Sequence, residues 1–303
     1  MSVKDFDPEL RLLARVLPRA VIGPRTLPVL RRADARVRGR TCAGVETTTD
    51  GDLSFRLHRP ATEPRGALLW MHGGGFVMGT AAQDDAFCRV IAARLGLLVA
   101  AVDYRLAPEH PFPVPLQDCH DALEWLAKRD DVDADRIAIG GASAGGALAA
   151  ALALLARDRG VVRPVFQLLS YPMLDDRVAA RADVDDRDAR LWSNRSNRFA
   201  WSAYLGTDPG SPSVNGLAAP ARHPDLGGVA PAWIGVGSLD ILREEDCTYA
   251  ARLNTAGVKC EVLVVDGAFH GFDSVSPRSA ITQRFRDAQA RALQKAFDDA
   301  SAA

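Results

Sequence analysis

Residues 136–157 read RIAIGGASAGGALAAALALLAR, and the fold follows from how this stretch must be built. Arg136–Ile139 is a short apolar run that suits a strand buried on both faces. Gly145–Arg157 is a longer run of alanine and leucine, residues that lose little on entering a helix. Between them stands Gly141-Ala142-Ser143-Ala144-Gly145. A chain that passes from strand to helix in so few residues turns sharply, and the serine at the apex is forced into a strained conformation. The residues two positions to either side must then be small, and Gly141 and Gly145 are. The Ser143 hydroxyl projects at the helix N-terminus, where unpaired amides and the helix dipole favour negative charge. In that context Ser143 reads as a nucleophile. A phosphate-binding glycine loop is the nearest competitor. It fails because Gly146 and Ala147 stand where Lys and Ser/Thr are needed. The dinucleotide fingerprint fails for want of its Gly-x-Gly pair.

Outward from the turn, apolar runs at Ala67–Met71, Leu97–Val102, Val165–Leu169, Trp233–Val236 and Glu261–Val265 predict further parallel strands. Helices are expected at Asp84–Arg94, Pro115–Arg129 and Arg243–Ala256. In the second, Leu116, Cys119, Leu123 and Leu126 recur at helical spacing. Such alternation argues a doubly wound α/β sheet. Two stretches break it. The N-terminal arm, residues 1–45, has Leu10, Leu13, Val16 and Leu17 at helical spacing and nine arginines from Arg11 to Arg40. It reads as short helices covering the main domain. Residues 175–222 are polar and irregular, with Trp192, Phe199, Trp201 and Tyr204 interleaved. This is far longer than a usual connection, so it is expected to be an insertion or lid. The catalytic domain is then 46–303.

Acyl transfer builds negative charge on a carbonyl oxygen, and backbone donors must be waiting for it. His72-Gly73-Gly74-Gly75-Phe76, after an early strand, supplies them, because residues without side chains let the backbone approach closely. A serine also needs a base, and the base an orienting acid. Of six histidines, His270 lies just past the last strand candidate, where this fold builds its sites. Asp240, in Gly237-Ser238-Leu239-Asp240-Ile241-Leu242, gives the order Ser…Asp…His. Asp266, four residues before His270, is the rival acid.

The balance of the chain is ordinary for a globular protein: 303 residues, 48% apolar, 25% charged, formal net charge -1. Nothing in it calls for nucleic acid or an anionic membrane. Five scattered cysteines (Cys42, Cys88, Cys119, Cys247, Cys260) show no Cys-x-x-Cys pair and suggest free thiols in a reducing cytoplasm. Met1–Arg11 is charged and lacks the apolar run of a signal peptide. The longest apolar stretch, Ala142–Ala156, is shorter than the roughly 18 residues of a membrane span. Asp183, Asp185, Asp186 and Asp188 lack the glycine and terminal glutamate of a calcium loop, and a solvated loop is expected there.

Taken together these motifs resemble the hormone-sensitive-lipase-like bacterial carboxylesterases, from about Gly66 to Phe272. His72-Gly73-Gly74-Gly75-Phe76 looks like the family's oxyanion motif. Asp103-Tyr104-Arg105-Leu106-Ala107-Pro108-Glu109, followed by His110-Pro111-Phe112-Pro113, looks like its conserved loop. There Asp103, Arg105 and Glu109 read as an internal ion-pair framework rather than as catalytic acids. The resemblance implies an α/β-hydrolase fold with a mostly parallel sheet and a helical cap built from the arm and the insertion. It implies oxyanion amides from Gly74, Gly75 and Ala144, a Ser143–Asp240–His270 triad, no metal and no cofactor. The implied activity is hydrolysis of small esters with short to medium acyl chains, roughly two to eight carbons. Cleavage of small aryl amides needs the same triad and stays open, as does a homodimer. A ligand receptor on the same fold, similar to the plant gibberellin receptors, is disfavoured because the histidine is intact. One departure stands out: Ala142 occupies a position usually acidic or threonine.

Overall fold

The computed structural model describes residues 5–40 and 42–302. Residues 1–4 and Thr41 of the arm lie outside the described residues. The strands are β1 (Val45–Asp50), β2 (Leu53–His58), β3 (Ala67–Met71), β4 (Leu98–Asp103), β5 (Ile137–Ala142), β6 (Phe166–Ser170), β7 (Ala232–Gly237) and β8 (Cys260–Val265). They form one eight-stranded sheet in the order β1-β2-β4-β3-β5-β6-β7-β8. β1 and β2 pair antiparallel, as do β2 and β4; every other pairing is parallel. The six runs expected as strands are all present. β1 and β2 are additions, and β1, VETTTD, is largely exposed. Its reading is obscured because an edge strand bears polar residues rather than an apolar run.

The helices are α1 (Arg11–Val16), α2 (Leu27–Arg38), α3 (Asp85–Leu95), α4 (Val114–Ala127), α5 (Ala144–Arg159), α6 (Asp176–Ala180), α7 (Asn194–Leu205), α8 (Arg243–Thr255), α9 (Phe272–Val275) and α10 (Ala280–Ala302). The two faces of the sheet carry separate cores because strand side chains alternate. On β4, Leu98, Ala100 and Val102 point into the core shared with α4, α5 and α8, while Val99 and Ala101 join the core under α3 and α10. Leu116, Cys119, Leu123 and Leu126 of α4 are buried as their spacing predicts. α5 is buried on almost every side, which explains its lack of a polar face. In α10, Ile281, Phe285, Gln289, Leu293 and Phe297 form a buried line, with the Gln289 amide donating to Ser170 Oγ at 2.7 Å.

The arm holds two helices, but Val16 is 69% exposed. α1 itself buries only Ala14, which continues a buried line from Phe6 and Leu10 in the turns before it, because a six-residue helix has room for only a narrow stripe. The arm and the insertion are tied to each other by hydrogen bonds onto arm carbonyls. Leu191 N–H donates to Pro18 O at 2.9 Å, and Ser196 Oγ–H to Ile22 O at 2.9 Å. Within the insertion, buried Asp176 accepts from Arg222 at 2.6 and 2.8 Å and from Gly210 N–H at 2.6 Å. Asp183 and Asp185 pair with Arg181 and Arg187 at the surface, and Asp186 accepts from Asn194 N–H at the start of α7. Among the described residues no helix is long and apolar enough to cross a membrane.

Candidate active site

The turn between β5 and α5 is as tight as its glycines suggest. Ser143 has φ 54° and ψ −117°, a region that side-chain-bearing residues occupy only when surroundings compel it. A Cβ on Gly141 would come within 2.4 Å of Gly145 backbone, and one on Gly145 within 2.1 Å of Met71 O. Ser143 is pinned on both sides: its N–H donates to Ser170 O at 2.8 Å, and its carbonyl accepts from Met173 N–H at 3.2 Å.

β7 and β8 run parallel beside β6, so the loops that follow them open at the same carboxyl edge as this turn. Leu239 N–H donates to Ala268 O at 2.9 Å, which brings the two loops together. His270 Nδ1 lies 2.7 Å from Asp240 Oδ2, and Nε2 lies 2.9 Å from Ser143 Oγ. A carboxylate can only accept, so the proton between the first pair sits on Nδ1 and Nε2 faces the serine hydroxyl as acceptor. Asp240 Oδ1 is itself held by Leu242 N–H at 3.0 Å. All three side chains are buried. Asp266 is not part of this chain of contacts. It is exposed and accepts from Ser238 Oγ at 3.3 Å.

The glycine motif follows β3, the neighbour of β5. Gly73 lies against the turn, where an added Cβ would stand 3.5 Å from Ser143 Cβ. Gly74 and Gly75 take φ 130° and 61°. Their amides and that of Ala144, the first residue of α5, donate to no acceptor among the described residues. These three donors are thus unpaired among the described residues, at the start of α5 and in the loop whose Gly73 lies against Ser143. His72 is stacked on Tyr104 with ring centroids 4.2 Å apart, and Tyr104 Oη–H donates to His72 O at 2.7 Å.

Of the four aromatics in the insertion, Trp192 reaches the site. Its ring lies 2.7 Å from where a Gly75 Cβ would be, and its centroid is 5.7 Å from that of His270. Trp201 and Tyr204 pack on Phe76, and Phe199 is partly buried against the core. Two residues beside the site have no sequence motif to announce them. Tyr171, at φ 38°, meets the His270 ring edge-on at 4.8 Å, and its hydroxyl donates to Asp273 at 2.7 Å. Burial pushes the Tyr171 phenol and the Asp273 carboxyl up. Beyond Asp240, burial also raises the Glu245 and Asp246 carboxyls, and Glu245 accepts from Leu174 N–H at 2.6 Å. The framework expected at Asp103–Glu109 is only partly internal. Arg105 pairs with buried Asp118, whereas Glu109 is 58% exposed and pairs with Arg31 of the arm. Among the described residues no cluster of three His, Cys, Asp or Glu has a metal-binding arrangement.

A strained serine bonded to a histidine that is bonded to a buried aspartate, on this sheet, is the arrangement of one superfamily. The family model described as alpha/beta hydrolase fold matches residues 68–274. The chain belongs to the hormone-sensitive-lipase-like carboxylesterases of the α/β-hydrolase fold. It is similar to Esterase LipI of Mycobacterium tuberculosis, 35% identical over 90% of this chain and 83% of that one. Among solved structures it resembles a bacterial heroin esterase (TM-score 0.87, 37% identity, 98% of this chain and 99% of that chain). The esterase LipW of Mycobacterium marinum is also similar, with TM-score 0.85 and 33% identity over 98% of this chain and 97% of that chain.

Proposed function

We propose that this carboxylesterase cleaves small carboxylic esters through an acyl-enzyme on Ser143. Ser143 Oγ attacks the ester carbonyl while His270 Nε2 takes its proton. Asp240 fixes the imidazole tautomer and stabilises the imidazolium. The Gly74, Gly75 and Ala144 amides receive the oxyanion. The carbon–oxygen bond to the alcohol breaks as His270 returns the proton to the leaving oxygen, and water releases the acid by the same path. The observation that carries this reading is the unbroken relay of 2.7 and 2.9 Å contacts from Asp240 through His270 to Ser143.

The proposal extends to the cap. The described part of the 1–45 arm and residues 175–222 close the site from above, supported by their mutual hydrogen bonds and by Trp192 lying over Gly75. A bulky ring against Gly75 and 5.7 Å from the His270 ring favours short to medium acyl groups. A cytoplasmic location accords with the five unpaired thiols. An organophosphonate is expected to label Ser143 stoichiometrically and abolish hydrolysis of p-nitrophenyl esters. Labelling at another serine, or an active Ser143→Ala enzyme, sinks the assignment. A parallel screen of aryl amides tests whether amide cleavage shares the site.

A further inference from the structure

The stripe Leu27, Arg31, Asp34 and Arg38 recurs at helical spacing along one side of α2. Leu27 is the helix's only fully buried residue, so hydrophobic burial does little to hold α2 in place. Its polar side chains go instead to the segment carrying the oxyanion glycines. Asp34 Oδ2 accepts from Gly79 N–H at 2.8 Å. Arg31 Nε–H donates to Val77 O at 2.7 Å. The same guanidinium donates to Ala107 O at 2.5 Å and grips Glu109 with contacts of 2.7 and 2.8 Å. Arg38 lies 3.5 Å from Asp103, which also accepts from Ala81 N–H at 2.9 Å and from Ser54 Oγ–H at 3.5 Å.

The segment receiving these bonds needs outside support. Gly74, Gly75, Phe76 and Gly79 all have φ between 61° and 130°. Glycine-rich backbone of this kind has many accessible conformations and little stiffness of its own. Its internal backbone bonds are the turn from Val77 N–H and Met78 N–H to Gly74 O, both 3.1 Å, beside a 2.8 Å contact of His72 Nδ1 with Gly73 O. A substituent at Gly79 would strike the His72 ring at 2.6 Å, so the backbone there cannot be braced by a side chain of its own. Oxyanion donors work only if they are fixed before charge develops, and small displacements of such groups are costly in rate.

We infer that Asp34 and Arg31 of the arm are positioning residues for the oxyanion amides, so that α2 tunes turnover as well as covering the pocket. This rests on the oxyanion role proposed for Gly74 and Gly75. The Asp103–Glu109 loop is then the other jaw of the clamp: Arg31 bridges it to the glycine segment, and Phe76 O accepts from Ala107 N–H at 2.9 Å. The inference also gives one of the arm's nine arginines a task that their abundance conceals.

The test uses the full chain, with p-nitrophenyl acetate as a substrate too small to depend on the cap for binding and phenylboronic acid as a tetrahedral mimic. In Asp34→Ala and Arg31→Met, kcat is expected to fall about ten- to hundredfold with KM nearly constant. The inhibition constant of the boronate should rise in step. Asp34→Asn keeps an oxygen for Gly79 N–H and should recover most of the lost rate. The inference is overturned if folded Asp34→Ala retains full kcat and boronate affinity, or if the loss falls on KM alone. Should Arg31→Met fail to fold, the two Asp34 variants decide. Failure of the underlying mechanism is seen separately, as activity that survives Ser143→Ala.

Discussion

The sheet-borne triad and the arm above it are held by different physics. Ser143, Asp240 and His270 stand past the carboxyl ends of the parallel strands β5, β7 and β8, and backbone contacts fix the first two: a steric vice of Gly141 and Gly145, and main-chain bonds from Ser143 to Ser170 and Met173 and from Leu242 to Asp240. Helix α2 of the arm buries little and is attached by guanidinium and carboxylate side chains reaching backbone groups elsewhere. A centre held by backbone register tolerates loss of a surface charge. A cover held by long polar side chains is sensitive to it, because each such bond is worth only about 1–3 kcal/mol and is easily exchanged for water. The chemistry is therefore expected to respond most steeply to changes in the frame, and the cover to act on substrate range and, through Arg31 and Asp34, more modestly on turnover.

The largest effect that would break this contrast is at the acid. Asp240→Asn should lower kcat by about 10⁴-fold, because the amide no longer enforces the Nδ1–H tautomer. Asp266→Asn, at an exposed side chain, should leave kcat nearly unchanged. A reversal of that ranking in p-nitrophenyl ester kinetics would move the triad to the other carboxylate and make the His270 geometry incidental.

Next is the frame's own stability. His58 on β2 is 1% exposed, 3.4 Å from Asp85 and beside Arg56. Burial pushes its imidazole down to about 4, with Arg56 adding and Asp85 opposing. The folded state thus resists protonation that the unfolded chain accepts near 6.5. His58 therefore contributes stability above pH 6.5 that is lost as pH falls through about 4, amounting to roughly 3 kcal/mol at most. Urea midpoints at pH 7 and pH 4 should differ less in His58→Gln than in the unchanged protein. Equal differences would place the acid sensitivity elsewhere.

Smaller again is the cover's effect on specificity. Specificity, as kcat/KM from acetate to palmitate esters, should rise by ~0.8 kcal/mol per buried methylene and then fall once packed side chains must move. Trp192→Ala should shift the maximum to longer chains while leaving acetate hydrolysis largely intact. An unmoved maximum would mean that Trp192 packs the insertion without bounding the acyl group. The smallest expected change is Ala142→Asp, which restores a polar side chain before the nucleophile. About tenfold in kcat, or ~1.4 kcal/mol in the barrier, is the anticipated limit. Complete inactivation would show that the shell beside Gly73 is built around the methyl group.

The chain order alone carried a good deal of this. The turn at Ser143, the strand runs that became β3 to β8, the glycine motif, and the choice of His270 and Asp240 all depend on short-range patterns. Apolar periodicity and the steric demand for glycine act over a few residues and are written in adjacent letters. Tertiary structure decided what depends on distant partners. The polar edge strand β1 gains its identity only from pairing with β2. Tyr171 and Asp273 become neighbours of His270 only once β6 and the His270 loop meet. Arg31 and Asp34 look like any other charges in an arginine-rich arm. A guanidinium has five donors on a long, flexible stem, and nothing local dictates which carbonyl it will find 46 residues away at Val77.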